Sequence, residues 1–257
     1  MEEAENERVL KETLEKELMI GYEIQTTILP RKLPICPGIE MVARYYPAKE
    51  VGGDFYDVFL KDHGENQTLF ITIADAAGKG ISACLYSLCL RSMLRCFYAE
   101  HDDLGKIVSR ANQLLCLDTE NTGMFVTVLT SIYNAKTRTL TYLSAGHNPG
   151  YILRRNGSWE LLENPGMAMG VVDFPSPKAQ TVQLEVGDLV FLYTDGVTET
   201  PTPLGELYGE DRLKSFIKKN QDIPVETLAD ELLKDLVKFS EDTSQFDDIT
   251  IISFRVI

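Results

Sequence analysis

Five aspartates stand where their spacing could support metal chemistry. Asp54 closes Gly52-Gly53-Asp54. Asp75 follows the apolar run Leu69-Phe70-Ile71-Thr72-Ile73-Ala74 and precedes Gly78-Lys79-Gly80. Asp195, in Asp195-Gly196, follows Leu189-Val190-Phe191-Leu192-Tyr193-Thr194, and Asp247-Asp248 precedes Ile249-Thr250-Ile251-Ile252. Each context is the end of a predicted strand. Strand ends from distant parts of a sandwich can meet at one edge, and carboxylates gathered there would repel unless a cation neutralised them. Oxygen donors without clustered His or Cys favour Mg²⁺ or Mn²⁺ over Zn²⁺. Two such ions about 3.5–4 Å apart, bridged by one carboxylate, can activate water for in-line attack on phosphorus. Any single aspartate has a plainer explanation, as a hairpin turn residue or a cap.

Other motifs carry less. Gly78-Lys79-Gly80 lacks the upstream glycine and the following Ser/Thr of a phosphate-binding P-loop. Its glycines are expected to let the backbone approach the metal site and then to start a helix. His147, in the tight turn Ala145-Gly146-His147-Asn148-Pro149, suits a turn-stabilising hydrogen bond better than a general-acid role. Ser144, His147 and Asp173 have no spacing that marks an activated serine. Arg154-Arg155 reads as an exposed hairpin end.

The elements that must position these residues follow from periodicity. Over residues 1–30 eight glutamates face three basic residues, with apolar residues at Val9, Leu10, Leu14, Leu18, Met19 and Ile28. That pattern predicts one amphipathic helix over residues 1–29, stopped by Pro30, and then one large domain over 30–257. The helix could pack on the body, pair with a second copy, or continue an upstream helix. Strands are predicted at Met41–Tyr46, Phe55–Leu60, Thr68–Ala74, Phe125–Ile132, Thr139–Ser144, Tyr151–Arg154, Val182–Leu184, Leu189–Tyr193 and Thr250–Val256. Helical spacing runs from Ile81 to Phe97, Leu104 to Leu115, Leu213 to Ile217 and Val225 to Val237. Helices fall in pairs between groups of strands, which argues for a layered α+β domain and against a doubly wound parallel sheet.

With 257 residues the chain can bury a large core. A net charge of −14 argues against nucleic acid or an anionic membrane as partner. No 18-residue apolar run is present, and the acidic N-terminus is unlike a signal peptide. None of the five cysteines forms a CxxC pair, and Cys84, Cys89 and Cys96 share one apolar helix. They are expected to be buried reduced thiols, in a cytoplasmic protein.

The motifs together resemble the SpoIIE-type branch of the metal-dependent serine/threonine phosphatases (the PPM family, protein phosphatase type 2C). The resemblance rests on Glu50-Val51-Gly52-Gly53-Asp54-Phe55-Tyr56-Asp57, Ala74-Asp75-Ala76-Ala77-Gly78-Lys79-Gly80, Met124-Phe125-Val126-Thr127, Ala145-Gly146-His147-Asn148-Pro149, Tyr193-Thr194-Asp195-Gly196-Val197-Thr198-Glu199 and Asp247-Asp248-Ile249-Thr250. It covers roughly residues 20–257. It implies a four-layer α-β-β-α sandwich of two antiparallel sheets. It further implies that Asp75 bridges two Mn²⁺ or Mg²⁺ ions, that the Ala76 carbonyl helps at one, that Asp195 and Asp247 hold the other, and that Asp54 binds directly or through water. Asp248 is the adjacent candidate to Asp247. The family often carries Val-Ser where this chain has Ala76-Ala77, a change that a backbone carbonyl ligand survives. The arginine that holds phosphate in the familiar type 2C enzymes has no match, and Lys49, with Arg44 nearby, stands closest to its place.

The activity so implied is direct hydrolysis of phosphoserine or phosphothreonine, without a phosphoenzyme, on a regulatory protein of the anti-anti-sigma-factor type in a partner-switching pathway. The N-terminal helix would then connect to a sensor domain or form a homodimer contact. Two other classes compete: a catalytically silent phosphoprotein-binding module of the same fold, and a divalent-cation sensor whose output is metal-driven ordering. Acidic residues at all four motifs argue against the silent module.

Overall fold

The computed structural model describes residues 2–63, 66–241 and 243–257. A long first helix, α1 (Glu2–Ile28), ends just before Pro30, as the helix-breaking ring requires. Three strands follow, β1 (Ile39–Tyr46), β2 (Phe55–His63) and β3 (Asn66–Ala76), then a helix pair, α2 (Ile81–Glu100) and α3 (Leu104–Thr119). Asp103 starts α3 by accepting hydrogen bonds from the Gly105 and Lys106 amides at 2.9 and 3.3 Å. Next come β4 (Val126–Asn134), β5 (Thr139–Ala145), β6 (Gly150–Leu153), β7 (Trp159–Leu162), β8 (Gln180–Gln183) and β9 (Leu189–Tyr193). A single 3₁₀ turn at Asp195–Val197 leads to α4 (Gly209–Lys219), α5 (Val225–Phe239) and β10 (Ile249–Val256).

Two five-stranded sheets result, ordered β1-β10-β9-β6-β7 and β2-β3-β4-β5-β8, with every strand pair antiparallel. Side chains alternate across the first sheet. Val190, Leu192, Ile252 and Phe254 face the second sheet, in a core that continues beneath α2 and α3. Phe191, Tyr193, Ile249 and Ile251 join Leu213 and Ile217 of α4 and Leu228 and Leu232 of α5 in a separate core. Period-two alternation thus reads as continuous apolar runs, because both faces of the sheet are covered. Each such side chain contributes roughly 1.5–3 kcal/mol by burial. The layers are α2/α3, sheet, sheet and α4/α5, the predicted α-β-β-α sandwich.

Three expectations need correction. The strand expected at Val182–Leu184 lies at Gln180–Gln183, and β7 was not anticipated: both are short edge strands with exposed polar positions. Among the three cysteines of α2 only Cys84 is buried, whereas Cys89 and Cys96 are exposed, because they fall on the solvent face of the helix. All five cysteines are free thiols. No described helix is long and apolar enough to cross a membrane.

Only the last turns of α1 pack on the body. Gln25 and Leu29 are buried, while Val9, Leu10, Leu14, Met19, Ile20 and Ile24 are exposed. Gln25 makes a two-way bond with the loop ahead of β2: its Nε2 donates to the Gly52 carbonyl at 2.8 Å, and the Gly52 amide donates to its Oε1 at 3.1 Å.

Candidate metal centre

Four strand ends deliver the aspartates to one edge of the sandwich. Asp54 enters β2 and Asp75 leaves β3, which pair with Phe55 opposite Ala74. Asp195 follows β9 and Asp247 precedes β10, which pair with Tyr193 opposite Ile251. Two hydroxyls join the sheets here. Thr194 Oγ1 and Thr250 Oγ1 both donate to Asp54 Oδ2, at 2.7 and 2.6 Å. Asp54 is fully buried and lies within reach of the Asp75 charge.

The carboxylates disturb one another strongly. Burial first, then the charges of Asp195, Asp247 and Asp248, push Asp75 up to about 7. Burial, Asp75 and Asp248 raise Asp54 well above the usual carboxylate range against the two threonine hydroxyls. Burial, Glu199 and Asp247 lift Asp195 to about 6. The sequence-predicted residues Asp54, Asp75, Asp195, Asp247 and Asp248 therefore share one electrostatic neighbourhood. Among the described residues no group of three or more His, Cys, Asp or Glu side chains is already drawn together closely enough to hold a metal ion. An all-oxygen, mutually repelling donor set of this kind fits hard divalent cations, which would relieve the repulsion.

Two glycines permit this crowding. A Cβ on Gly53 would sit 3.0 Å from the Ala76 carbonyl oxygen, and one on Gly196 would sit 2.0 Å from that of Asp248. Gly78 and Gly80 lead into α2 as expected, with Gly80 at its N-cap. A Cβ there meets nothing within 4 Å, and glycine is needed for φ of 84° and 81° in the turn before α2.

The neighbouring residues take distinct places. Asp248 clasps the loop ahead of β2: its Oδ1 accepts from the Ala48 amide at 2.7 Å and its Oδ2 from the Gly53 amide at 2.6 Å. Asp247 Oδ1 accepts from the Asp248 amide at 2.9 Å, while its Oδ2 lies 2.9 Å from Lys79 Nζ. Asp57 is held by Arg95 at 2.8–2.9 Å and by Arg91 at 3.3 Å, which ties β2 to α2. Lys49 is exposed on the clasped loop. Arg44 is committed to Asp230 at 2.7 Å and to Glu226 at 3.3 Å on α5.

His147 has the turn-stabilising role expected of it. Its ring bonds Thr127 Oγ1 at 2.8 Å and the Tyr193 carbonyl at 3.1 Å, and burial lowers its pKa to about 4. The ring is therefore neutral at physiological pH, with Nε2–H donating to the carbonyl and Nδ1 accepting from the hydroxyl.

Sequence reasoning missed Gln25, Thr194 and Thr250 as parts of this edge. Both threonines lie within two residues of an aspartate in their motifs, which is the signal that could have found them.

The pKa directions set a pH dependence. Without metal, the folded protein keeps protons on Asp75 and Asp195 that the unfolded chain releases near pH 4. Their contribution to stability is full below that pH and is lost as pH rises through about 6 to 7. Cation binding needs the charged carboxylates. The rise in melting temperature on adding Mn²⁺ should therefore grow between pH 5 and 7.5, with proton release in calorimetry. A rise independent of pH would contradict the assigned ligands.

An open groove of about 850 Å³ begins at Asp247 and runs along α5, lined by Tyr46, Leu233, Val237 and Phe246 among others.

Among solved structures, the chain resembles the SiaA PP2C domain of Pseudomonas aeruginosa, with a TM-score of 0.84 and 22% identity over 96% of this chain and 98% of that one. It also resembles the catalytic domain of the serine/threonine phosphatase PstP solved with two manganese ions, with a TM-score of 0.62 and 16% identity over 85% and 98%. The fold is that of PP2C-type phosphatases. In sequence it is 30% identical to the phosphoserine phosphatase RsbU of Bacillus subtilis, over 96% of this chain and 72% of that one. It is equally 30% identical to IcfG of Synechocystis, over 92% of this chain, but spans only 41% of that protein. The family model for stage II sporulation protein E matches residues 65–257. The chain belongs to the SpoIIE family of serine/threonine phosphatases.

Proposed function

We propose that this chain hydrolyses phosphoserine or phosphothreonine on a cytoplasmic regulatory protein of the anti-anti-sigma-factor type, within a partner-switching pathway, and that it depends on Mn²⁺ or Mg²⁺. One observation carries the reading: four separate motifs bring Asp54, Asp75, Asp195 and Asp247 to one edge of the sandwich, where the charge of Asp247 raises Asp75 and Asp195 and that of Asp75 raises Asp54. Membership of the SpoIIE family and the manganese ions of PstP support it.

Bound divalent cations, two in this reading, would supply Lewis-acid activation of water and would stabilise charge on the transferring phosphoryl group. Asp75, with the Ala76 carbonyl beside it, would hold these ions together with Asp195, Asp247 and Asp54. Thr194 and Thr250 fix the Asp54 carboxylate, and Asp248 positions the loop that carries it. Lys49, on that loop, offers a cation to an incoming dianionic phosphate. The neutral, doubly bonded His147 holds the β5–β6 turn against β9 and transfers no proton. The groove beside Asp247 leaves room for the polypeptide flanking the phosphorylated residue. The helix over 1–29, with its exposed apolar residues, connects the domain over 30–257 to a sensor or to a second copy.

The test is phosphate release from a serine-phosphorylated anti-anti-sigma-type protein and from p-nitrophenyl phosphate, with Mn²⁺, Mg²⁺ or chelator. Turnover with either metal and none with chelator is expected. Turnover that survives chelation would reject the metal reading. Tight binding of the phosphoprotein with no release in any metal would establish the silent module instead.

A further inference from the structure

Lys79 reaches into the carboxylate cluster from the turn before α2. Its Nζ lies 2.9 Å from Asp247 Oδ2, donates to the Phe246 carbonyl, and stands 4.1 Å from the centre of the Phe246 ring. Its charge is also felt at Asp195. Among the described residues, Asp54, Asp75, Asp195, Asp247 and Asp248 make no other ion pair. The other oxygen of Asp247 already accepts an amide hydrogen bond. Lys79 thus sits on the Asp247 oxygen that a metal ion would use.

We propose that Lys79 is a built-in counter-ion of the metal-free protein, which a divalent cation must displace from Asp247. Lys79 then sets the metal affinity at the Asp195–Asp247 position. This rests on the reading of Asp247 as a metal ligand. Displacement is cheap. An ion pair that is a quarter exposed is weak, a cation–π contact adds little, and a lysine stem rotates freely. It is also obligatory, because two cations on one carboxylate oxygen repel each other.

The experiment is Mn²⁺ titration by calorimetry, without substrate, on the wild type, Lys79→Met, Lys79→Arg and Lys218→Met. Lys218 is exposed beside the β6–β7 hairpin, where Gly157 lies, and its loss changes the net charge equally. Lys79→Met should tighten the weaker dissociation constant by about fivefold, the equivalent of about 1 kcal/mol. Lys79→Arg and Lys218→Met should stay within about twofold of wild type on the same scale. Lys79→Met should also melt lower than wild type in chelator yet gain more on adding Mn²⁺. An unchanged or weaker Mn²⁺ constant in Lys79→Met would overturn the inference while leaving the metal reading intact. Should the methionine variant not melt cooperatively, Lys79→Gln is read by the same criterion. Absence of saturable Mn²⁺ binding in the wild type would overturn both.

Discussion

Replacing Asp75 with Asn is expected to lower phosphate release by about a thousandfold or more, the scale of losing a central electrostatic contact in a transition state. The substitution is nearly isosteric and sits at the end of β3, so the sheet should survive it. What changes is charge. Asp75 acts on Asp54 and feels the charges of Asp195, Asp247 and Asp248 together. An amide cannot neutralise two cations, yet it removes one partner from a repulsive group. The variant should therefore have a distinct signature. Its melting temperature in chelator should equal or exceed that of wild type, and the stabilisation by Mn²⁺ should be lost. Calorimetric melts with and without metal, beside the phosphate assay, check both halves. Activity within tenfold of wild type would remove Asp75 from the centre of the mechanism.

Gly196→Ala should be the most damaging change that alters no charge. The new methyl carbon would sit 2.0 Å from the Asp248 carbonyl oxygen and 2.9 Å from its carbonyl carbon. Both are backbone atoms, so no rotamer relieves the overlap, and the Asp195 turn must separate from the Asp247–Asp248 segment. The cost is about 3 kcal/mol, at the upper end for overpacking. That corresponds to a fall in melting temperature of about 6–12 °C at this chain length. Mn²⁺ affinity should fall with it, because the displaced segments carry two of the assigned ligands. Gly78→Ala is the useful contrast: its methyl meets nothing within 4 Å. Only the positive φ is penalised there, by about 1–2 kcal/mol. Equal melting temperatures for the two variants would contradict this account of Gly196.

The sequence was most legible where local chemistry and tertiary demand coincide. Apolar runs ending at Asp75 and Asp195, or starting after Asp247-Asp248, located β3, β9 and β10 and the edge at which they meet. Paired helices between strand groups indicated a layered α+β domain, and the family resemblance implied the layer order. Legibility failed where a residue acts through a distant partner. Gln25 reads as a polar interruption of a helix, yet it is fully buried and grips Gly52. Thr194 and Thr250 read as ordinary strand residues until two sheets bring them onto one carboxylate oxygen. β7 carries too little pattern, because two of its four residues face solvent. The exposed Cys89 and Cys96 show the limit of helical spacing, which fixes neighbours on a face but not which face turns inward.

The threonine pair on Asp54 bears on which ions this edge can select. With Oδ2 engaged twice by hydroxyls, Asp54 would offer a bound ion its other oxygen. On Asp247 one oxygen, Oδ1, accepts from the amide of the next residue. Acting as the proposed ligands, these two carboxylates would each bind through one oxygen. Such ligands suit small six-coordinate ions that retain several waters, and they disfavour calcium, whose larger shell draws on bidentate carboxylates.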